Sequence, residues 1–336
     1  MRLTRRQFAL AAAALPMAMT EARAADAAQL RVATVAPAGS SFHKRLQALG
    51  NEWARGPGGV SMNIYAGTQG GEQQIVRRMR VGQLQGAMLS SVGLSQIDRS
   101  VTALQYLPLL FRDWGDVDAV RDKLRPQLEA SLQKAGYVEL FWGDGGWVRY
   151  FSKKPITRIG DLKSMRVYAS SGEPATTEIF KNFYTPVVLE PDQILLGLRN
   201  GMIDALPIPA FLANLSQVPT YAPYMLDLRW APITGALVLT ERAWQQLDPK
   251  TQAWFRESSD KAGVEIRRAG RLEDDLTIQA MKDKQGLKVT TLTPEAEREW
   301  RAEIAGFYPR VRGTVIPAPM FDLTVETLKA RHAAGS

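Results

Sequence analysis

One stretch of the sequence has the spacing of a serine nucleophile and an activating base. Ser41 and Lys44 stand one helical turn apart in SFHK (41–44), the arrangement in which a lysine activates a serine in penicillin-recognising enzymes. The companion strings SDN and KTG of those enzymes do not occur. A serine here also serves as a helix cap, because its oxygen accepts from the free amides of the first turn. A serine hydrolase built on Ser41 and Lys44 is therefore the alternative function.

Other motifs for covalent, metal or nucleotide chemistry are missing from the sequence. The chain has no Cys, and its histidines are His43 and His332, which leaves no thiolate and too few ligands for a histidine-rich metal site. Neither GxxxxGK with Ser or Thr, nor GxGxxG, nor a GxSxG elbow occurs. The glycine-rich segment 67–71 predicts a turn. We expect no catalytic residue, no metal and no cofactor.

Aromatic side chains and two arginines gather near the middle of the chain. The set comprises Trp142, Trp147, Tyr150, Phe151 and Tyr168, with Arg149 and Arg166 among them. Core packing explains any one of these rings. Together they suit a cleft that stacks an organic ring and pairs a carboxylate with an arginine.

Alternating strands and helices position these residues. Residues 30–35 alternate apolar and polar side chains, and a helix follows from Ser40 or Ser41. A short buried strand ends at Ser91, and ligands of open α/β sheets bind just outside such strand ends. The repeated order of strand and helix predicts an α/β fold with parallel pairing.

The chain divides into two such units. The glycines in 143–146 break the pattern between two strands, which predicts the crossing point between lobes. The predicted units are a first lobe of residues 25–146 and 235–275, a second lobe of residues 147–234, a long bracing helix over 248–281, and a C-terminal segment, 282–336, that packs on the lobes.

The first 24 residues have the composition of an export signal. The paired arginines of TRRQFAL (4–10) match the twin-arginine pattern, and the apolar run after them leads to small residues suited to cleavage after Ala24. We therefore expect the mature protein in the periplasm. No later apolar run reaches the ~20 residues of a membrane helix, so the mature chain should not be embedded in a membrane.

The positive charge does not indicate a nucleic-acid partner. Removal of residues 1–24 takes away four Arg and one Glu and lowers the formal charge from +8 to +5. The remaining basic residues do not cluster with aromatic ones, so we expect no nucleic-acid binding.

Five segments occur in a fixed order along the mature chain. They are RVATVAPAGSSFH (31–43), GGEQQIVRRMRVGQLQGAML (70–89), LPLLFRD (107–113), KPITRIGDLKSMRVY (154–168) and LGLRNGMIDAL (196–206). Their order and spacing resemble the extracytoplasmic solute receptors of tripartite ATP-independent periplasmic (TRAP) transporters, of the dicarboxylate-receptor (DctP) type. The resemblance implies an α/β, two-lobed periplasmic binding protein of the type II-like class, with a ligand cleft between the lobes and a long helix spanning both. It also implies closure on a solute and delivery to membrane permease subunits. We expect a monomer.

The resemblance breaks down at the carboxylate site. Most such receptors hold the substrate carboxylate with an arginine in the strand after DLKG, and that position is Tyr168 here. Arg166 precedes it by two residues, roughly 6.6 Å along a strand. The asparagine usual after the GxxD turn is also missing from ALPIP (205–209). We therefore expect an organic carboxylate that is larger or more aromatic than a C4-dicarboxylate.

Eight side chains are candidates for ligand binding. They are Tyr168, Trp147 and Phe211 for ring contacts, Arg149 and Arg166 for the carboxylate, Ser91 and Gln69 on the opposite wall, and His43 above the first strand. A receptor that reports its ligand to a sensor kinase is a further alternative on the same fold.

Overall fold

The computed structural model describes residues 29–171 and 173–334. The strands are β1 Gln29–Thr34, β2 Ser61–Ala66, β3 Gly86–Ser90, β4 Tyr137–Ser152, β5 Arg166–Ser170, β6 Thr185–Leu189, β7 Ala205–Pro209, β8 Tyr224–Leu226, β9 Ala231–Thr240 and β10 Lys288–Thr290. The α-helices are α1 Ser41–Arg55, α2 Glu72–Arg80, α3 Ser91–Ser95, α4 Trp114–Lys134, α5 Pro174–Phe180, α6 Ile194–Arg199, α7 Ala210–Leu215, α8 Glu241–Trp244, α9 Pro249–Gln285, α10 Pro294–Ala305, α11 Tyr308–Val311 and α12 Ala318–Ala334. Short 3-10 helices cover Pro57–Gly59, Arg99–Leu104, Ile159–Ser164, Pro191–Gln193 and Val218–Thr220. The export signal predicted for residues 1–24 lies outside the described residues.

Two groups of parallel strands share one pair of antiparallel strands. The strand order is β2-β1-β3-β9-β4-β7-β5-β6, and β8 pairs with both β4 and β10. β1 is parallel to β2 and β3, and β5 is parallel to β6 and β7. β9 and β4 run antiparallel to each other. β9 is also antiparallel to β3, and β4 is antiparallel to β7. The mixed α/β sheet confirms the predicted fold class, with β4 and β9 as the strands common to the two lobes.

The predicted chain break at residues 143–146 is wrong. β4 runs through this segment without interruption, and its pairing with β9 shifts in register between Asp144 and Trp147. Gly146 has a φ of 90°, a conformation that a residue with a side chain rarely adopts. The glycines therefore form a β-bulge that bends one continuous strand, and the strand leads the chain from one lobe into the other. The lobe boundary at 146/147 remains a prediction.

Each lobe covers its sheet with helices on both faces. In the first lobe, Ala236 and Val238 of β9 belong to the core under α2 and α4, whereas Leu237 and Leu239 belong to the core under α1 and α9. The second lobe has the same arrangement, and its two cores again lie on opposite faces of the sheet. This alternation along β9 follows from the period of two in strand side chains.

Helix α9 runs along the junction between the lobes. It begins after Asp248, whose carboxylate accepts from the Lys250 amide at 2.9 Å, and it ends before Gly286, which has a φ of 70°. The helix packs on β4 and contacts α1 in one lobe and α7 in the other. It extends beyond residue 281, where the sequence predicted its end, because the first glycine after that position, which favours the left-handed cap, is Gly286.

A buried carboxylate joins β4 to two helices. The Asp144 side chain is fully buried in the bulge of β4 and accepts from Arg121 of α4 at 2.6 Å. Arg271 of α9 donates to the same carboxylate through Nε at 2.8 Å and Nη2 at 2.6 Å. A Cβ on Gly270 would lie 2.2 Å from the Asp144 carbonyl oxygen, so only glycine allows α9 to approach this closely.

The C-terminal helices supply apolar side chains to both lobes. Trp300 and Ile304 of α10 belong to a core of the second lobe. Met320, Phe321 and Leu328 of α12 belong to a core of the first lobe, under α4. Among the described residues, no helix combines the length and the apolar character that a membrane crossing requires.

Replacement of Asp144 by asparagine should destabilise the protein strongly. Asp144→Asn removes the buried negative charge between Arg121 and Arg271 and leaves them the partly exposed Asp118 as their remaining acidic partner, so we expect the free energy of unfolding to fall by about 3 kcal/mol. Asp322→Asn is the matched control, because the Arg312–Asp322 pair is about half exposed and should contribute less than about 1 kcal/mol. Urea unfolding of the three proteins measures both values, and equal losses would contradict the expectation.

Glu139 should make stability depend on pH. Its carboxylate is buried without a well-aligned hydrogen-bond partner among the described residues, and burial followed by the charge of Glu129 raises its pKa to about 8. The folded state favours the protonated carboxyl of Glu139. The stabilising contribution of this group is therefore complete below the ordinary pKa of 4.5 and is lost as the pH rises through 8. Glu139→Gln should therefore raise the free energy of unfolding at pH 8 by at least about 2 kcal/mol.

The control for this prediction is Glu257→Gln, an exposed site on α9. Unfolding in urea at pH 5 and pH 8 should show a growing advantage of Glu139→Gln over wild type with pH. The control should show none, and a Glu139→Gln advantage that does not change with pH would exclude this origin.

Candidate functional site

The strand ends of the two lobes meet across a cleft. Phe42 follows β1 and Phe211 follows β7, and their ring centroids lie 5.1 Å apart. Gly71 follows β2 and Glu190 follows β6, and a Cβ on the glycine would lie 3.4 Å from Oε2 of the glutamate. Ligands of α/β sheets bind outside the carboxyl ends of the strands. The space that these four residues border, called the interlobe cleft below, is therefore the candidate site.

Glu173 enters the cleft on the loop between β5 and α5. Its amide donates to the Ser170 carbonyl at 3.1 Å, and its carbonyl accepts from the Thr177 amide at 2.9 Å, which fixes the backbone turn. The carboxyl lies beside the Tyr106 hydroxyl, which belongs to the other lobe, and within the field of Glu72. Burial raises the pKa of Glu173, the Tyr106 hydroxyl opposes that rise, and the charge of Glu72 adds to it.

The charge of Glu173 acts on three tyrosines, and a fourth lies beside one of them. Burial, with the charge of Glu173 as the next cause, raises the pKa of Tyr106, Tyr168 and Tyr184, to about 12 for Tyr168. The hydroxyls of Tyr150 and Tyr184 are adjacent. Neither Tyr106 nor Tyr150 finds a well-aligned hydrogen-bond partner for its buried hydroxyl among the described residues. These four residues are the tyrosine cluster.

The charges that act on the tyrosine cluster are negative. Glu173 and Glu72 act on Tyr106, whereas Glu173 and Glu190 act on Tyr168. Within residues 29–171 and 173–334, no Lys or Arg contributes to the pKa shift of Glu173. This part of the cleft therefore combines buried hydroxyl groups with carboxyl groups, of which Glu173 and Glu72 have a raised pKa.

Glu72 supports the first-lobe wall of the cleft. Its carboxylate accepts from the amide and the hydroxyl of Ser90, both at 2.6 Å, and from the Gly93 amide at 2.9 Å. These bonds satisfy free amides around the start of α3. Burial nevertheless raises the pKa of Glu72, because the cost of desolvation exceeds the gain from the bonds. An acid in the first turn of a helix is common in any sequence, so no pattern singles out Glu72 in advance.

Both arginines proposed for the ligand carboxylate have acidic partners. Arg166 lies at the amino end of β5, where Nε and Nη2 donate to Asp204 at 2.9 Å each. Arg149 is buried, with Nη1 2.6 Å from Asp274 of α9 and Nε 3.6 Å from Asp227. The structure therefore brings neither guanidinium into the interlobe cleft as a free cation.

Trp147 and Ser91 are buried in the protein. The Trp147 ring packs 4.7 Å from Trp114 at the start of α4, and the Arg229 guanidinium lies 5.7 Å from its centroid. The Ser91 hydroxyl lies 2.8 Å from Oγ1 of Thr234. Both residues pack at the junction of β4, β9 and the first lobe.

The other predicted residues lie on segments that border the cleft. Phe211 forms the ring contact with Phe42, and Tyr168 belongs to the tyrosine cluster. Gln69 is half-buried on the loop that carries Gly71. His43 is in the first turn of α1, where its Nδ1 accepts from the Gly39 amide at 3.0 Å.

The geometry disfavours a serine nucleophile. The Ser41 hydroxyl donates to Oε2 of Glu273 at 2.5 Å, and Lys44 is exposed. The side chain that caps α1 belongs to Ser40, whose oxygen accepts from the His43 amide at 3.3 Å. Serine and lysine are therefore not arranged as a nucleophile and its base.

A polar groove of about 820 Å³ lies between α4 and α9, away from the strand ends. Its charged lining residues are Asp118, Arg121, Asp122, Arg125, Arg267, Arg268, Arg271 and Asp275. Arg121 and Arg271 are the partners of Asp144, so part of this lining stabilises the fold. In the ranges that the structure describes, no three His, Asp or Glu side chains are grouped to hold a metal ion.

Known proteins share this sequence pattern and this architecture. The family model for bacterial extracellular solute-binding protein, family 7 (DctP), matches residues 32–312. The uncharacterized protein YiiZ of Salmonella typhimurium is 25% identical over 209 residues, which are 60% of this chain and 62% of that relative. The chain thus spans less than two thirds of that relative's length.

Two solved structures show the same fold. A TRAP periplasmic solute binding protein from Ralstonia eutropha H16, with bound (S)-2-acetolactate, superposes with a TM-score of 0.83 at 19% identity, over 90% of this chain and 99% of that one. DctP7 of Bordetella pertussis, an extracytoplasmic solute receptor binding pyroglutamic acid, superposes with a TM-score of 0.82 at 18% identity, over 90% of this chain and 100% of that one. The family model covers most of the chain, and the chain therefore belongs to family 7 of the bacterial extracellular solute-binding proteins.

Proposed function

We propose that the protein is the extracytoplasmic solute receptor of a TRAP transporter. In this role it works in the periplasm, binds a small organic acid in the interlobe cleft and delivers it to the membrane permease subunits. Membership of the family supports the role, and solved proteins of the same fold hold pyroglutamic acid and acetolactate. The proposal does not require a catalytic residue.

The contact between Phe42 and Phe211 is the observation that carries the proposal. The two rings come from different lobes and lie 5.1 Å apart, which is the position expected of lobes that have closed. The lobes are joined through β4, β9 and α9, so bending at these elements can separate the rings without unfolding either sheet. A solute that contacts both walls stabilises the closed form relative to the open form.

Tyr168, Phe211 and Gln69 are the residues that we propose for the ligand contact. They combine an aromatic face, a phenol hydroxyl and an amide around the strand ends. A carboxylate can accept from the phenol and the amide in place of the arginine that related receptors use.

Ligand binding should shorten the distance between the lobes. The chain has no Cys, so Thr68→Cys with Val188→Cys places two unique labels on exposed sites of opposite lobes. Pyroglutamate, succinate and acetolactate, each tested alone, are the probes. At least one should shift the spin-label distance distribution to a shorter value.

Labels at Thr68 and Val81 provide the control, because both sites lie on the first lobe and their distance should not change. If none of the three acids shortens the Thr68–Val188 distance in a protein that unfolds cooperatively, a receptor role for acids of this kind is contradicted.

Tyr168→Phe should weaken binding of the acid that closes the lobes. The substitution removes the hydroxyl and keeps the ring, so we expect the dissociation constant to rise about threefold to tenfold, the cost of one hydrogen bond. Arg166→Ala should leave it within about twofold, since Arg166 pairs with Asp204 at the far end of the strand. Calorimetric titration measures both. A large loss in Arg166→Ala with no loss in Tyr168→Phe would reverse the assignment.

A further inference from the structure

Leu109 has a left-handed backbone conformation in the segment that leads into α4. Its φ is 61°, a region that leucine rarely occupies because the Cβ atom lies too close to the backbone. Among the described residues other than glycine, Gln217 is the other one with a positive φ. A conformation of this kind persists only where the surrounding contacts determine it. The neighbours of Leu109 in space must therefore hold it in place.

The contacts that hold Leu109 come from the second lobe and from the helices that pack on it. Its amide donates to the Trp230 carbonyl at 2.7 Å, and its carbonyl accepts from Nη1 of Arg301 at 2.7 Å. The preceding carbonyl, of Pro108, accepts from the Tyr308 hydroxyl at 2.7 Å. The Leu109 side chain is 5% exposed and belongs to a core of the second lobe. Backbone and side chain are thus both fixed from that side.

The neighbours of Leu109 in sequence belong to the first lobe. Leu107 and Phe111 are buried in the core under α4. The chain therefore enters the first-lobe core, places one residue in the second lobe and returns to the first-lobe core within five residues. Residues 107–111 are called the crossing segment below.

The crossing segment lies beside the strands that the lobes share. Trp230, which accepts from the Leu109 amide, immediately precedes β9, and its own amide donates to the Val148 carbonyl of β4 at 2.9 Å. Bending at β4 and β9 displaces the distant strand ends most and the residues beside these strands least. The contacts of the crossing segment can therefore persist while the lobes separate.

Resting on the proposed receptor function, we infer that the crossing segment is a fixed pivot for lobe closure, with Leu109, Arg301 and Tyr308 as positioning residues for the interlobe cleft. The bonds from Arg301 and Tyr308 persist in the open and the closed forms and restrict the lobes to bending about β4 and β9. Without these bonds, the second lobe also twists against the first, and the two walls of the cleft meet correctly less often. Affinity then falls, because it is proportional to the fraction of molecules that can bind.

The distance distribution between the lobes of the unliganded protein tests the pivot. Arg301→Ala with Tyr308→Phe removes both side-chain bonds to the crossing segment and leaves its buried apolar side chains unchanged. Spin labels at Thr68 and Val188 should then give a distribution at least about 1.5 times as wide as in wild type, because the lobes gain a direction of motion. Labels at Thr68 and Val81, both on the first lobe, should keep the wild-type width.

Arg298→Ala is the matched control on α10, because Arg298 is 69% exposed and pairs with Glu295. It should keep the wild-type width between the lobes. Thermal unfolding verifies that each variant is folded, and a wild-type width in the folded double variant overturns the inference. If the double variant does not fold, Tyr308→Phe alone decides in the same way, since it removes one bond and keeps the ring.

Amide hydrogen exchange distinguishes a pivot from a contact that breaks when the lobes open. In wild type, a peptide that covers residues 107–111 should be protected equally without ligand and with the acid that closes the lobes, since the bond from the Leu109 amide to Trp230 persists in both forms. Protection that appears only with the acid overturns the inference.

The dissociation constant of that acid connects the pivot to ligand binding. It should rise about threefold or more in the double variant, and an unchanged value in a folded double variant contradicts the positioning role. The width measurement needs no ligand, so the two proposals fail separately. If an acid closes the wild-type lobes and the width does not change in the double variant, the inference fails and the receptor function stands. If no acid closes the lobes, the receptor function fails, and the width alone decides about the pivot.

Discussion

The buried Asp144 carboxylate is the interaction on which the junction between the lobes depends. It lies at one of the two register shifts of β4, and it holds Arg121 of α4 and Arg271 of α9 at hydrogen-bond distance. A buried carboxylate between two guanidinium groups tolerates little displacement, because each bond that lengthens exposes an unbalanced charge to a medium of low dielectric constant. The bulge, the start of α4 and the middle of α9 therefore form one rigid unit.

This rigid unit determines the positions of the two walls of the interlobe cleft. β4 leaves the unit toward β7, and β9 returns beside it, so both halves of the sheet are aligned from the same point. Helix α9 contacts α1 on one side and α7 on the other, the two helices that carry Phe42 and Phe211. The cleft lies at the strand ends because the strands of both lobes are oriented by this shared pair.

The fold class could be predicted from the sequence, because strand and helix periodicities are local properties. The continuity of β4 could not be predicted, because the glycines in 143–146 are equally typical of a turn and of a β-bulge. The residues of the candidate site are harder to predict than the fold class. From the sequence, Arg149 is a reasonable partner for a ligand carboxylate, but in the structure it pairs with Asp274, 125 residues away. Such ion pairs arise from tertiary contacts between residues that are distant in sequence, so no local sequence pattern predicts them.

The site residues that the sequence indicates and those that it does not indicate differ in the same way. Tyr168 and Phe211 stood out because aromatic residues near strand ends are conspicuous. Glu173 and Tyr106 did not, because an acid before a proline and a tyrosine in an apolar run are ordinary locally. Glu173 and Tyr106 become neighbours only because two loops from different lobes approach each other in the fold.

The sharing of β9 also has a consequence for the order of folding. Gly86 of β3 lies opposite Leu239 of β9, and the second-lobe strands β5 to β8 lie between them in the chain. The first-lobe sheet cannot be completed until the chain has returned, so its closure depends on contacts of long sequence separation, which form slowly. A second lobe that folds early would bring the two ends together and shorten this search. The second lobe thus forms one wall of the cleft and also brings together the two ends of the first-lobe sheet during folding.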